Sequence, residues 1–428
     1  MIETKPKPLK RGNADTTKSS RIDAHFEVEM QNECENRPGR HPYFEMVRQA
    51  LKSEGVTQPT IVVDLDLFDR NLDRLLSMLP ADMAFRLVVK SLPIPDLIQR
   101  ALERANTKRV MTFNLPMLQT LASTMPQLDH LLGKPFPVAA AKAFLTQGGD
   151  AAQVHWLIDT PERLAQYGQL AQDTKTVLNI CLELDIGLHR GGFARKDALV
   201  AALDQIADCP QLNLTGVMGY DAHVGKAPTA FGLQRSAEAK TKKRFEAALD
   251  IIRAVLGNDV SERIIRNGAG SPTLPFYKDA DIVNDISAGS VLVKPTDFDL
   301  PHLSHFAPAA FIATPALKVL DGVQMPVLEW LDPIRNLFAR QKRKSVFIHG
   351  GYWKAVPVDP AGLKHASLIG RSSNQELLVG PSDMTLKPDD FVLFRPTQSE
   401  AVMLQFGPIA TIKDHKFAGW MDPLPMSA

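Results

Sequence analysis

Between Thr60 and Val293 short apolar, β-branched runs alternate with stretches whose apolar residues recur at helical spacing. The runs are Thr60–Asp64, Arg86–Val89, Arg109–Phe113, Val154–Ile158, Val177–Leu184, Leu214–Met218, Arg263–Arg266 and Ile282–Ser287, with Val291–Val293 a ninth candidate. Helical spacing holds over Leu67–Leu79, Pro161–Gln172 and Arg235–Val255. Runs with little polar alternation belong to strands buried on both faces, as in a parallel sheet covered by helices. Such alternation over roughly 230 residues admits a (β/α)8 barrel or a doubly wound sheet, and periodicity does not choose between them. Nine strands are one too many for a barrel of eight; in that case Thr60–Asp64 is expected to join the domain that follows.

After Pro308 the helical spacing largely vanishes. Strand-like runs follow at Phe311–Thr314, Ser345–Ile348, Glu376–Val379, Phe391–Phe394 and Ala401–Phe406, separated by turns such as Gly380-Pro381-Ser382-Asp383. This pattern predicts a mainly antiparallel β domain. Residues 1–40 are polar, and no continuous apolar stretch follows their basic residues, so they read as a disordered or extended arm rather than a signal peptide. The expected organisation is an arm over 1–40, a barrel over 41–305 and a β domain over 306–428.

Composition narrows the function classes. The 428 residues carry 49 Lys and Arg against 48 Asp and Glu, a formal charge of +1, so no global field favours nucleic acid or anionic lipid. The 44% hydrophobic fraction is enough for a sizeable core, and no apolar run has the length of a membrane span. Cys34, Cys181 and Cys209 are too scattered for a disulfide framework or a CxxC zinc site, which is consistent with a reducing, cytoplasmic setting.

Candidate chemistry lies at the ends of the runs. Lys90 closes Phe85–Lys90, and a strand's C-terminal end is where barrels and open α/β sheets place their chemistry. A lysine there either reaches solvent or, desolvated by apolar neighbours, becomes a nucleophilic amine. Three further groups of residues end later runs: Gly187–Phe193, which contains Arg190; Gly216–Asp221, which contains Tyr220; and Asn267–Thr273 with Ser287–Ser290. A Gly-rich turn after a strand serves either a tight turn or backbone N–H groups converging on an anion. Two such turns, a strand-end lysine and a strand-end arginine within one alternating domain favour the second use.

The order of these pieces resembles the alanine racemase-like (fold type III) family of pyridoxal-phosphate enzymes, and within it the D-threonine aldolase and D-serine dehydratase branch. The resemblance runs through Thr57–Asp66, Arg86–Ser91, Glu183–Gly192, Gly268–Ser271 and Gly289-Ser290. It implies a TIM-type (β/α)8 barrel with a C-terminal mainly antiparallel β domain, pyridoxal phosphate (PLP) as cofactor, a small amino acid as substrate and a homodimer. Lys90 would carry the cofactor as a Schiff base and shuttle a proton. Arg190 would donate to the phenolic oxygen, Gly268, Ala269, Gly270, Ser271, Gly289 and Ser290 would bind the phosphate, and Tyr220 would line the pocket. Ser287 falls where racemases carry an arginine at the pyridine nitrogen, so the ring would be a comparatively weak electron sink.

One departure stands out. Metal-dependent members of the branch carry a Pro-x-His-x-(Cys/Asp) cluster, and the matching stretch here is Pro396-Thr397-Gln398-Ser399-Glu400. Gln398 is a poor exchange for a zinc-binding histidine, so any ion is expected to be weak and oxygen-bound, and the metal is left open. Glu400, Gln398 or a bound ion would manage the substrate's β-hydroxyl. The leading expectation is a lyase acting on a small D-amino acid by β-elimination or retro-aldol cleavage. A racemase using Tyr352 as a second base and a non-catalytic cofactor carrier are the alternatives.

Overall fold

The computed structural model describes residues 41–228, 230–322, 343–366 and 370–425, so the arm expected over residues 1–40 lies outside the described residues. Eight parallel strands close a barrel in chain order. After a first strand β1 (Thr60–Asp64), they are β2 (Ala84–Val88), β3 (Arg109–Thr112), β4 (Asp129–Leu132), β5 (Val154–Ile158), β6 (Leu178–Glu183), β7 (Leu212–Met218), β8 (Ile265–Gly268) and β9 (Asp285–Ala288). Helices cover the outside. Several begin at side chains that take up free N–H groups: Asp64 accepts from Asp66 and Leu67, Asn114 from Met117 and Thr160 from Arg163. Among the described residues no helix is long and apolar enough to cross a membrane.

The remaining strands form a nine-stranded, mainly antiparallel sheet. They are β10 (Ala310–Asp321), β11 (Arg343–His349), β12 (Ala355–Asp359), β13 (Lys364–His365), β14 (Gln375–Pro381), β15 (Phe391–Pro396), β16 (Ile409–Lys413) and β17 (Lys416–Met421). β1 completes the nine, antiparallel to β10 and parallel to β16. Thr60–Asp64 therefore leaves the barrel, as foreseen for nine runs, although it lies inside the span 41–305.

The ninth barrel-region strand is not Val291–Val293, however. Ser290–Leu292 is a single 3-10 turn, and the strand absent from the expected set is β4. Its four residues begin with Asp129 and the buried His130, so the apolar run is too short to register. Ala401–Phe406 is also not a strand. The N–H groups of Val402 and Met403 both bond to Ser399 O, which curls this segment into a turn.

The two units meet above the C-terminal ends of the barrel strands. Arg395 of β15 donates to Lys294 O (2.8 and 3.1 Å) and to Asp299 (2.6 and 2.8 Å), and Asp297 N bonds to Thr397 O at 3.1 Å. These bonds hold the segment after β15 against the segment after β9.

Candidate active site

A cavity of about 460 Å³ opens at the C-terminal ends of the barrel strands, within the size range of small-molecule sites. Lys90 enters it from the 3-10 turn Val89–Ser91 that follows β2, with Nζ 4.4 Å from the centre of the Phe113 ring. Burial pushes its amine below the usual lysine range; the Glu400 carboxylate opposes that shift, and the Arg190 and Lys134 charges add to it. A desolvated amine keeps more of its neutral, nucleophilic form near neutral pH.

Arg190 comes from the turn after β6. The Asp185 carboxylate shapes this turn by accepting from the N–H groups of Gly187 and His189, each at 3.0 Å. At Gly192, where φ is +95°, an added Cβ would lie 2.8 Å from Glu183 O, so the chain can close here only as glycine. The Arg190 guanidinium lies 5.1 Å from the centre of the Tyr220 ring. Glu183 lines the cavity beneath it; burial raises its carboxyl above the usual range and the Arg190 charge opposes that rise.

Three loops, after β2, β8 and β9, are tied to one another. Ser271 Oγ accepts from Gly289 N (3.3 Å) and Val291 N (3.1 Å), and the hydroxyls of Ser91 and Ser290 lie 2.8 Å apart. Gly289 approaches so closely that an added Cβ would stand 2.5 Å from Val88 O; one on Gly270 would meet the Tyr220 ring at 2.7 Å. The Gly270 N–H bonds to Thr273 Oγ1 (3.1 Å), and that hydroxyl donates to the buried Asp221 at 2.6 Å. Gly268 is part of β8 and does not line the cavity. The part of the turn that faces the cavity is thus Ala269–Ser271, opposite Ser290.

The cavity floor is Ser287 and Asn267, whose Nδ2 is 2.8 Å from Ser287 Oγ. The roof includes Glu400, on the 3-10 turn Ser399–Ala401. Ser399 Oγ donates to Glu400 at 3.2 Å. Gln398 is engaged elsewhere, its Nε2 on Asp297 (2.8 Å) and its Oε1 taken by Lys354 Nζ (2.6 Å). Gln398, Ser399 and Glu400 therefore do not converge as a ligand set. Among the described residues no group of three or more His, Cys, Asp or Glu is arranged to hold a metal ion.

The family model for the alanine racemase N-terminal domain matches residues 63–296, more than half of the chain. The chain belongs to this family. It is 27% identical over 174 residues to a D-threonine aldolase of an Arthrobacter species, covering 40% of this chain and 44% of that protein. It is 22% identical over 151 residues to a 3-hydroxy-D-aspartate aldolase of Paracoccus denitrificans (strain Pd 1222), covering 35% of this chain and 38% of that one. The chain thus spans under half the length of the curated relatives it matches. Two solved structures share the fold. D-threonine aldolase from Filomicrobium marinum superposes with a TM-score of 0.68 at 14% identity, covering 86% of this chain and 97% of that one. D-threo-3-hydroxyaspartate dehydratase from Delftia sp. HT23 does so with 0.68 at 15% identity, covering 87% and 98%.

Within this family fold, ten residues singled out from sequence line the one cavity: Lys90, Arg190, Tyr220, Ala269, Gly270, Ser271, Ser287, Gly289, Ser290 and Glu400. Tyr352 does not line it; that residue is 65% exposed on the loop after β11, its N–H held by Glu376 at 2.7 Å. Ser91, Phe113, Lys134, Asp159, Glu183 and Asn267 line the cavity without having been assigned roles. Two of these, Phe113 and Asp159, end or immediately follow runs visible in the sequence whose ends carry neither glycine nor lysine. Applying the strand-end rule to every run, and not only to those with glycine or lysine, would have found them. Lys134 follows β4, the strand whose pattern is too weak to see.

Proposed function

We propose that this protein is a pyridoxal-phosphate-dependent lyase that acts on a small D-amino acid bearing a β-hydroxyl group, by β-elimination or retro-aldol cleavage. One observation carries the reading: Lys90, the Ser271 and Ser290 loops, and Glu400 face a single cavity. The activities of the relatives, aldolases and a dehydratase of D-threonine and 3-hydroxyaspartate, support it. Members of the alanine racemase fold family use pyridoxal phosphate.

The donor set fits that cofactor. A desolvated amine suits an aldehyde, the hydroxyls and N–H groups of Ser271 and Ser290 suit a phosphate, and Arg190 suits the phenolic oxygen. When bound, the cofactor supplies an aldehyde that captures the amino group and a conjugated ring that draws electrons from the breaking bond. With the cofactor bound, Lys90 Nζ would hold its aldehyde end and would exchange a proton at the substrate's Cα. Tyr220, stacked under Arg190 and against Gly270, fixes the ring side of the pocket. Glu400 presents a carboxyl to the substrate's β-hydroxyl from the roof.

A divalent ion does not fit the residues present, because the Lys354 ammonium occupies the oxygen that Gln398 would offer. A racemase would draw its second base from the C-terminal domain of a partner copy, with Tyr352 the candidate, and the product assay below tests for it. A simple cofactor carrier has no use for Glu400 in a roof. Incubation with D-serine, D-threonine and both alanine enantiomers separates the readings. The lyase yields pyruvate and ammonia, or aldehyde and glycine; inversion of alanine would show a racemase, and no product a carrier. Assembly as a homodimer is part of the proposal, and sedimentation of the active species as a monomer would contradict it.

A further inference from the structure

The end of β4 runs Leu132-Gly133-Lys134-Pro135 and is built around the Phe113 ring. Gly133 N donates to Thr112 O at 2.9 Å, and an added Cβ on Gly133 would meet the Phe113 ring at 2.3 Å, so the glycine lets that ring lie against the strand end. Lys90 Nζ stands 4.4 Å from the centre of the same ring. Phe113 thus draws the backbone before Lys134 toward Lys90, and the Lys134 charge is felt at the Lys90 amine. Lys134 lines the cavity and has no ion-pair partner among the described residues.

We propose that Lys134 binds the substrate's α-carboxylate, and that the carboxylates on the same lining restrict the substrate to amino acids without a second carboxylate. The proposal rests on the pyridoxal-phosphate reading above. On that reading the phosphate takes the neutral donors of Ser271 and Ser290, the phenolic oxygen takes Arg190, and Lys90 gives up its charge in holding the aldehyde. Lys134 is then the cation on the lining still without an anion. The substrate's amino group takes the place of Lys90 Nζ, so its carboxyl carbon lies two bonds from a point that the Lys134 charge already reaches. Asp159, Glu183 and Glu400 line the rest of the cavity, and the Glu400 charge is also felt at Lys90. A second carboxylate would meet these acids with no cation left to take it, and like charges brought together in a cleft favour the uncharged competitor. Analogues of serine and threonine are admitted and 3-hydroxyaspartate is rejected, so this chain parts from its relatives that act on hydroxyaspartate.

The test reads binding rather than turnover. The holoprotein reconstituted with PLP is titrated with D-alanine, D-alaninol and D-aspartate while the cofactor's absorbance is followed. D-alaninol carries a hydroxymethyl group where D-alanine has its carboxylate, and D-aspartate adds a second carboxylate. In the unmodified protein D-alanine is expected to bind about 30-fold more tightly than D-alaninol, the worth of one charge-assisted contact. It should also bind at least ~10-fold more tightly than D-aspartate. Lys134→Met should erase the first difference by weakening D-alanine alone, and Lys134→Arg should keep most of it. Glu400→Gln should narrow the second. The proposal is overturned if Lys134→Met weakens D-alaninol as much as D-alanine or leaves D-alanine unchanged, or if D-aspartate binds as tightly as D-alanine. Should Lys134→Met fail to fold, the unmodified protein decides, since equal affinities for D-alanine and D-alaninol would also overturn it. Failure of the unmodified protein to form a borohydride-fixable adduct at Lys90 would instead sink the cofactor reading itself, and is seen separately by mass.

Discussion

The barrel keeps charged side chains at both of its ends, and they are treated differently. At the N-terminal ends of the strands one cluster of charges is matched side chain to side chain. Arg86, with no exposed side-chain surface, bonds to Asp285 and Asp129, Arg109 adds to Asp285, and His155 Nε2 lies 3.2 Å from Asp129. Although burial pushes the Asp129 carboxyl up, the His155 hydrogen bond and the Arg86 charge hold it well below the usual range. At the mouth Lys90, Lys134 and Arg190 line one cavity with Asp159, Glu183 and Glu400, yet none of the three cations makes an ion pair among the described residues. Matched buried charges can be carried by a fold, whereas charges left without a partner in a cleft mark where a ligand completes them. Charge alone therefore does not locate a site; missing partners do.

The contrast predicts that changes at the mouth cost function and changes at the N-terminal ends of the strands cost stability. The largest effect is expected from Lys90→Ala, which should lower turnover by about 10⁴-fold and abolish the adduct while leaving thermal stability unchanged or raised. A fall in melting temperature as large as that of a variant at the N-terminal ends would break the comparison. Arg86→Met should do the reverse. It leaves the buried Asp285 with Arg109 as its remaining cation and the half-buried Asp129 with His155, a loss of about 3 kcal/mol by urea unfolding.

His130 sharpens the stability side. Burial holds its imidazole down at about 4, and neither ring nitrogen has a hydrogen-bond partner among the described residues. The unfolded chain takes up that proton near pH ~6.5, whereas the folded chain does so only near 4. Between those values the unfolded state binds more protons, so this contribution is full above pH ~6.5 and is lost as pH falls toward 4, about 3 kcal/mol in all. The stability of His130→Leu should lack that part of the acid slope; an identical slope in both proteins would argue against the assignment.

Glu400→Gln is expected to have the smallest effect, about a 100-fold loss of turnover with cofactor affinity nearly unchanged. Because Gln398 is committed to Lys354 and Asp297, chelator should not reduce the activity of the unmodified protein. Loss of activity on chelation, restored by Mn²⁺, would return the roof to metal chemistry.

Much of this was legible along the chain. Seven of the eight barrel strands coincide with apolar runs, because strands packed on both faces cannot hide their hydrophobicity. β4 escaped because its Asp129 belongs to the matched charge cluster and His130 interrupts the apolar pattern. Ala401–Phe406 misled because apolar residues bury equally well in a turn that packs Val402 and Met403 inward. Gly268 misled because a glycine in a Gly-Ala-Gly-Ser turn looks the same whether it faces an anion or closes a strand.

By itself the sequence determined the alternation that requires a helix-covered parallel sheet, the lysine and glycine turns at strand ends, and a second domain of another pattern. These are local properties, set by the period of apolar positions and by which residues can turn a chain. Tertiary structure alone decided that Thr60–Asp64 pairs with β10 and β16, a choice between edges hundreds of residues apart. It also decided that Gln398 turns away from the cavity while its neighbour Glu400 faces it, and that Asn267 links Asp285 to Ser287. Each of these depends on which distant group meets a side chain in space, and neither spacing nor residue type carries that information.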